Sequence, residues 1–407
     1  MAILQHLYPL QGKVQHYSWG GYNYLAHLLR QENPERKPWA EYWLGAHPNF
    51  PGFIPVGGSE VALNQFIKQY PEEVLGEPVY RQFGALPFLL KVLDIRQMLS
   101  IQVHPGKAEA EEGFAKENKA GIPENAPHRN YKDDNHKPEL MVALGDFWLL
   151  HGFKPAGPLR ETLETIPEFS FLLEEFDRGG YKALYETALQ LDQQRVNEIL
   201  DPIASRIVPL YRNGELLQTQ EDFWAARAVE TFCRPGHYDR GIFSIYFFNL
   251  LHLKKGEAIY QPAQMPHAYL EGQNVEIMAN SDNVLRAGLT DKHIDVSELL
   301  QHVRFAETVP QILGGAEGVA KETVFTTPAA EFELLQYRLS GESLPLKAQS
   351  AEVILVLNGS AELQAHTELL QLAEGQAAFI VAGTSYTLRV DNAAEVFRAT
   401  VPAGKAG

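Results

Sequence analysis

At 407 residues the chain exceeds what one hydrophobic core usually supports, so two or three domains are expected. A hydrophobic content of 45% is that of an ordinary soluble globular protein, and a formal net charge of −16 argues against nucleic acid or an anionic membrane as partner. The single cysteine, Cys233, excludes an intrachain disulfide framework and any multi-thiolate metal site, so a metal would need N and O ligands.

Met1 to Leu10 lacks a basic flank followed by an apolar core, and no stretch approaches the ~20 apolar residues of a membrane span, which makes the cytoplasm the expected compartment. From Leu7 to Pro105 the pattern predicts short strands and one helix, the latter over Tyr24, Leu25, Leu28 and Leu29. Strands are expected at Glu41–Gly45 and Phe53–Val56, with two more between Phe88 and His104. Trp19 and Trp43 read as core aromatics, and His47 as a structural histidine. Leu99, Ile101 and Val103 alternate with Ser100, Gln102 and His104, the period of a strand with one polar face. Gln102 and His104 can therefore converge on one ion before Pro105 ends the strand.

Between Gly106 and Pro138 apolar periodicity vanishes, which predicts a long irregular binding loop or surface excursion with a short helix start at Glu109–Glu112. Lys137-Pro138-Glu139 then opens the apolar run Leu140–Leu144, placing a carboxylate at the mouth of a buried strand, where it needs a partner or a cation. From Pro155 to Pro235 the period turns helical, with stripes at Tyr181, Leu184, Tyr185, Ala188 and Leu189, and at Val196, Ile199, Leu200 and Ile203. Asp201-Pro202 marks a helix start or break. This is an inserted helical domain with no catalytic constellation of its own.

Strand character returns at Phe243–Leu253, Ala258–Gln261, Pro266–Leu270 and Asn274–Met278, with turns at Lys255-Gly256 and Glu271-Gly272. That density indicates an antiparallel sandwich or barrel. After a linker containing Gly314-Gly315, a second series of short strands follows, with a hairpin turn at Asn358-Gly359 and His366 as its only histidine, so no metal site is expected there. The expected division is 1–154 and 241–312 for the two parts of a catalytic β domain, 155–240 for the helical insertion, and 313–407 for a second β domain.

Gln102, His104, Glu139 and His267 are thus candidate ligands on three separated strands that a jelly-roll barrel would bring to one mouth. Imidazole, carboxylate and amide oxygen suit a divalent ion such as zinc.

The sequence resembles the type I mannose-6-phosphate isomerases, a cupin-fold family. The resemblance is carried by Gln15-His16-Tyr17-Ser18-Trp19-Gly20, Ala40-Glu41-Tyr42-Trp43-Leu44-Gly45 and Leu99-Ser100-Ile101-Gln102-Val103-His104-Pro105. It continues through Tyr131 to Leu140, Pro266-His267-Ala268-Tyr269 and Ser281 to Thr290, spanning residues 1 to about 305 and extending weakly beyond. It implies a mainly β chain with an inserted helical domain, a cupin-type jelly-roll catalytic barrel and a second, degenerate C-terminal jelly roll. It also implies one zinc ion on Gln102, His104, Glu139 and His267, and an essential Arg286. Ser100, Lys137, Glu276 and Lys292 fall where the family lines its substrate pocket. Asp291 stands where a proline is usual, placing an acid beside Lys292, and Ser18 and Gln264 also depart from the common pattern.

The implied reaction interconverts mannose 6-phosphate and fructose 6-phosphate by proton transfer through an enediol. Arg286 would clamp an oxyanion or phosphate, since its guanidinium does not deprotonate. Glu276, between Val275 and Ile277, is a candidate base if burial raises its pKa, or else a carboxylate that holds a Lys or Arg in place. The expected partner is a sugar phosphate, and a monomer is the expected state. Two other readings remain open from the residues: a metal-dependent cupin oxygenase built on His104, Glu139 and His267, and a non-enzymatic sugar-phosphate-binding module.

Overall fold

The computed structural model describes residues 5–314 and 321–402. The chain is mainly β with helices between the strands, and every pairing between strands among the described residues is antiparallel. Among the described residues no helix is long and apolar enough to cross a membrane.

The strand His267–Ala279 is the spine of the site. Its first half pairs with Phe147–Phe153 and, at His267, with Ile101–Val103; its second half pairs with Phe88–Ile95 and Glu139–Ala143. It therefore joins two sets of strands. Sequence periodicity expects two strands separated by a turn at Glu271-Gly272. The structure shows a kink instead, with Gly272 at φ 126° and a register shift after Tyr269. Any Cβ at Gly272 would lie 2.6 Å from the Asp146 carbonyl oxygen, so the bend requires glycine.

Side-chain alternation sorts the charges. On Phe88–Ile95, Phe88, Leu90 and Val92 join a core shared with Leu334, Val353, Leu355 and Phe397 of the C-terminal unit. Leu89, Lys91 and Leu93 point the other way, toward the side that holds the cavity. The same period turns Glu41 and Trp43, Glu139 and Met141, and Glu276 and Met278 inward. The C-terminal unit stacks a six-stranded sheet on a four-stranded one. Its larger sheet also takes up Leu7–Leu10, paired with Ala377–Ile380, so the first described strand is held by the end of the chain.

Several local expectations change. Among the described residues four short helices, not one, precede Pro105: Tyr24–Leu28, Leu63–Gln69, Pro71–Leu75 and Glu77–Phe83. The stretch after Gly106 folds as a helix over Lys107–Lys119 before turning irregular. Gly241–Phe247 is a helix leading into the strand Phe248–Leu253; all seven of its residues are buried, and a run apolar on every side carries no period to separate helix from strand. Pro202 does not break a helix: Gln193–Arg212 runs through Pro202 and Pro209, starting where Asp192 caps the amide of Arg195. Its buried stripe of Val196, Ile199, Leu200, Ile203 and Ile207 outweighs the lost backbone bonds. Gly314 ends a short strand, while Gly315 and Met1 to Leu4 lie outside the described residues.

Candidate metal centre

Three strands bring His104, Glu139 and His267 together. One ligand atom from each lies within 4.8 Å of the others, and all three residues are buried. His104 Nδ1 donates to the Asn283 carbonyl oxygen at 2.7 Å, and His267 Nδ1 to that of Met265 at 2.9 Å. A carbonyl only accepts, so both protons sit on Nδ1 and both Nε2 lone pairs face Glu139, at 3.6 Å and 3.2 Å from its two oxygens. His104 Nε2 is buried without a hydrogen-bond partner. A buried lone pair aimed at a carboxylate is costly unless a cation lies between them, so this donor set fits a metal ion.

Burial pushes the His104 imidazole down to about 4, which keeps it neutral and able to ligate. Burial acts to raise the Glu139 carboxyl, but the Lys137 ammonium 3.3 Å away opposes it, and the group is held well below the usual range. Gln102 sits opposite His267 in strand register and lines the same cavity, between the buried Ile101 and Val103. The Asn283 that positions His104 also gathers the irregular loop, donating to the carbonyls of Asp133 at 2.8 Å and Asn135 at 2.9 Å. The Ser281-Asp282-Asn283 turn thus ties the loop leading to Lys137 and Glu139 onto the back of one ligand.

The cluster opens into a cavity of ≈ 1100 Å³. Ser100, Lys137, Glu276, Arg286 and Lys292 all line it, so the structure brings every singled-out pocket residue to one place. The Arg286 guanidinium has no hydrogen-bond or ion-pair partner among the described residues, and burial lowers its pKa. Lys292 is lowered by burial and then by the charge of Arg286; Asp291 pulls the other way without cancelling them. Two neighbouring cations left unneutralised in an acidic chain form a site for an anion.

Trp19 and Trp43 line the cavity, so the aromatics expected in the core also face the site. His47 is buried, with Nε2 3.3 Å from Asp282. Cys233 is half-buried, at the cavity wall and packed against a core cluster, and burial pushes its thiol up to about 11.

Sequence reasoning passed over Lys91 and Glu41. Lys91 Nζ lies 3.2 Å from Glu276 Oε1 and 3.4 Å from Glu41 Oε2 on the cavity floor, and Tyr269 donates to Glu276 Oε2 at 2.9 Å. The available signal was a lone lysine amid the apolar Phe88–Ile95, since a charge in a buried strand demands partners.

Fold and site together define an antiparallel β-protein with a His–Glu–His ligand cluster opening onto a cation-bearing pocket. The family model for the catalytic domain of type I phosphomannose isomerase matches residues 7–156, and the mannose-6-phosphate isomerase of Escherichia coli (strain K12) is 38% identical over 385 residues, covering 92% of this chain and 95% of that protein. The chain belongs to the type I phosphomannose isomerase family. The mannose-6-phosphate isomerase of Macaca fascicularis is 33% identical, with 97% of this chain and 98% of that protein covered. Among solved structures, the mannose 6-phosphate isomerase of Salmonella typhimurium bound to substrate and a zinc atom is similar at a TM-score of 0.87 and 33% identity, with 98% of this chain and 100% of that chain covered.

Proposed function

We propose that this chain is a zinc-dependent aldose–ketose isomerase interconverting mannose 6-phosphate and fructose 6-phosphate. The observation that carries the reading is the paired orientation of His104 and His267, each fixed through Nδ1 so that both Nε2 atoms face Glu139 beside the unpaired Arg286. Relatives named for this activity across bacteria and primates, and a similar structure bound to substrate and zinc, support it over the oxygenase and binding-module readings.

Gln102, His104, Glu139 and His267 would hold the ion. Bound there with a single carboxylate ligand, zinc keeps a net positive charge and supplies Lewis-acid stabilisation for negative charge on the sugar oxygens. Arg286 and Lys292 take the phosphate and so orient the sugar chain toward the cluster. Glu276, raised by burial and the nearby Glu139 charge, moves the proton between C2 and C1; Lys91 holds it in place and opposes part of that rise. Lys137 keeps Glu139 ionised, and Ser100 offers a hydroxyl on the same cavity wall.

The architecture fits a cupin-type jelly-roll barrel, formed by 1–154 and 241–312, with 155–240 inserted and a degenerate jelly roll without a metal site at 313–407. The experiment is a coupled assay of mannose 6-phosphate conversion with and without chelator, restored by zinc. Absence of turnover in the zinc-loaded protein overturns the reading.

A further inference from the structure

The helical insertion, expected to carry no chemistry, reaches the cavity at one point. Between the helices Glu221–Phe232 and Gly241–Phe247, Arg234, His237 and Asp239 line the same cavity wall as Arg286 and Lys292. Asp239 faces the turn that leaves the Arg286 strand. Its Oδ1 accepts the amide N–H of Gly241 at 2.7 Å and of Leu289 at 2.8 Å, and its Oδ2 accepts that of Thr290 at 3.3 Å.

The turn held this way is strained. Leu289 adopts φ 55°, a left-handed conformation that costs a branched side chain, directly after Gly288 at φ 140°. Gly288 and Gly241 pack backbone to backbone: a Cβ on Gly288 would lie 2.4 Å from Gly241 Cα, and one on Gly241 2.7 Å from the Leu289 nitrogen. A strained backbone persists where its surroundings over-determine it, and here one carboxylate collects the N–H groups on both sides of the contact. Arg286 precedes this turn and Lys292 follows it, so its course sets the spacing between the two cations.

We propose that Asp239 is a positioning residue, anchoring Leu289–Thr290 so that Arg286 and Lys292 converge on the phosphate of the sugar phosphate. The inference rests on the isomerase reading above, and it gives the insertion a part in substrate recognition.

Two variants test it, with kcat, KM for mannose 6-phosphate, the dissociation constant of inorganic phosphate measured by calorimetry, and zinc content as readouts. D239A removes all three acceptor bonds. D239N can keep the two bonds to Oδ1 while turning an N–H toward the Thr290 amide. In D239A, KM and the phosphate dissociation constant rise about tenfold, in D239N about threefold, while kcat changes less than about threefold and zinc stays stoichiometric. A merely structural residue would reduce the folded fraction without moving phosphate affinity in the folded enzyme. Unchanged phosphate affinity in D239N, or a fall in kcat at constant KM, overturns the proposal. Failure of the zinc-loaded wild type to isomerise overturns the functional reading alone, since phosphate affinity still reads the anchor.

Discussion

Lys91 and Glu276 meet across adjacent strands with 3.2 Å between ammonium and carboxylate, at only 5% and 3% exposure. Their Cα atoms are direct register partners, so the pairing is built into the sheet rather than adopted by flexible side chains. With Glu41 on the far side of the ammonium, Lys91 serves two carboxylates and stays protonated, while Glu276 is raised by burial and by Glu139. In the proposed reaction that asymmetry assigns the proton transfer to Glu276 rather than Lys91.

Glu276→Gln is expected to lower kcat by about 100-fold or more while zinc content stays stoichiometric, since general acid–base groups contribute roughly that much. Metal analysis and steady-state kinetics on the same preparation check it. Parallel loss of zinc and turnover would sink the base assignment.

Lys91→Met strands two buried carboxylates, and leaving an uncompensated buried charge costs about 3–5 kcal/mol. Urea denaturation of the zinc-loaded variant should show that loss, and the double variant Lys91→Met/Glu276→Gln should recover part of it. No change in the midpoint for Lys91→Met would mean that the carboxylates find other partners.

Zinc removal by chelation is expected to abolish turnover and lower the melting temperature while leaving the far-ultraviolet circular dichroism spectrum intact. The core clusters are apolar and include none of the candidate ligands, and the ion stabilises only through its differential binding to the folded state. His267→Ala should lose zinc and turnover together. Retained activity in thoroughly chelated protein would dismiss the metal's catalytic part.

His151 gives the chain an acid-sensitive element. Burial pushes its imidazole down to about 4, against the hydrogen bond to Gln261 at 2.7 Å, from an ordinary value of 6.5. The unfolded imidazole takes its proton as pH falls below 6.5, the folded one only near 4, so the unfolded state binds more protons in between and stability falls across that window by roughly 3 kcal/mol. Denaturation of zinc-free protein at pH 7 and pH 4.5 should show a shallower fall in His151→Gln than in wild type. Equal falls would place the acid sensitivity elsewhere.

Arg286→Ala should raise KM for the sugar phosphate by about tenfold or more, with Arg286→Lys intermediate, because an ammonium keeps the charge and loses the planar fork. Equal KM values in all three proteins would remove Arg286 from substrate binding.

Most of the strands were legible because one face of each packs on apolar neighbours and leaves a period-2 trace. Legibility failed where a segment is buried all round, as in Gly241–Phe247, and where packing overrules local preference, as at Pro202. The four candidate ligands were readable as types in a pattern, and the resemblance grouped them. Lys91 was not, because a single lysine in an apolar strand takes its meaning from residues opposite it, and those lie 50 and 185 positions away in the chain.

The amino-acid sequence by itself determined the chemical inventory: one cysteine, candidate N and O ligands on separated strands, and fewer cations than anions. It also determined which side of each strand a residue occupies, since alternation is a local property of the backbone. Only the tertiary structure decided which inward residues meet. Register sets Gln102 against His267 and Lys91 against Glu276; the Asn283 and Met265 carbonyls turn both imidazoles toward Glu139; and Asp239 accepts the amide N–H of Leu289, just past the Arg286 strand. Each of these is a contact between distant segments, fixed by the pairing of strands and the burial of cores rather than by any local preference.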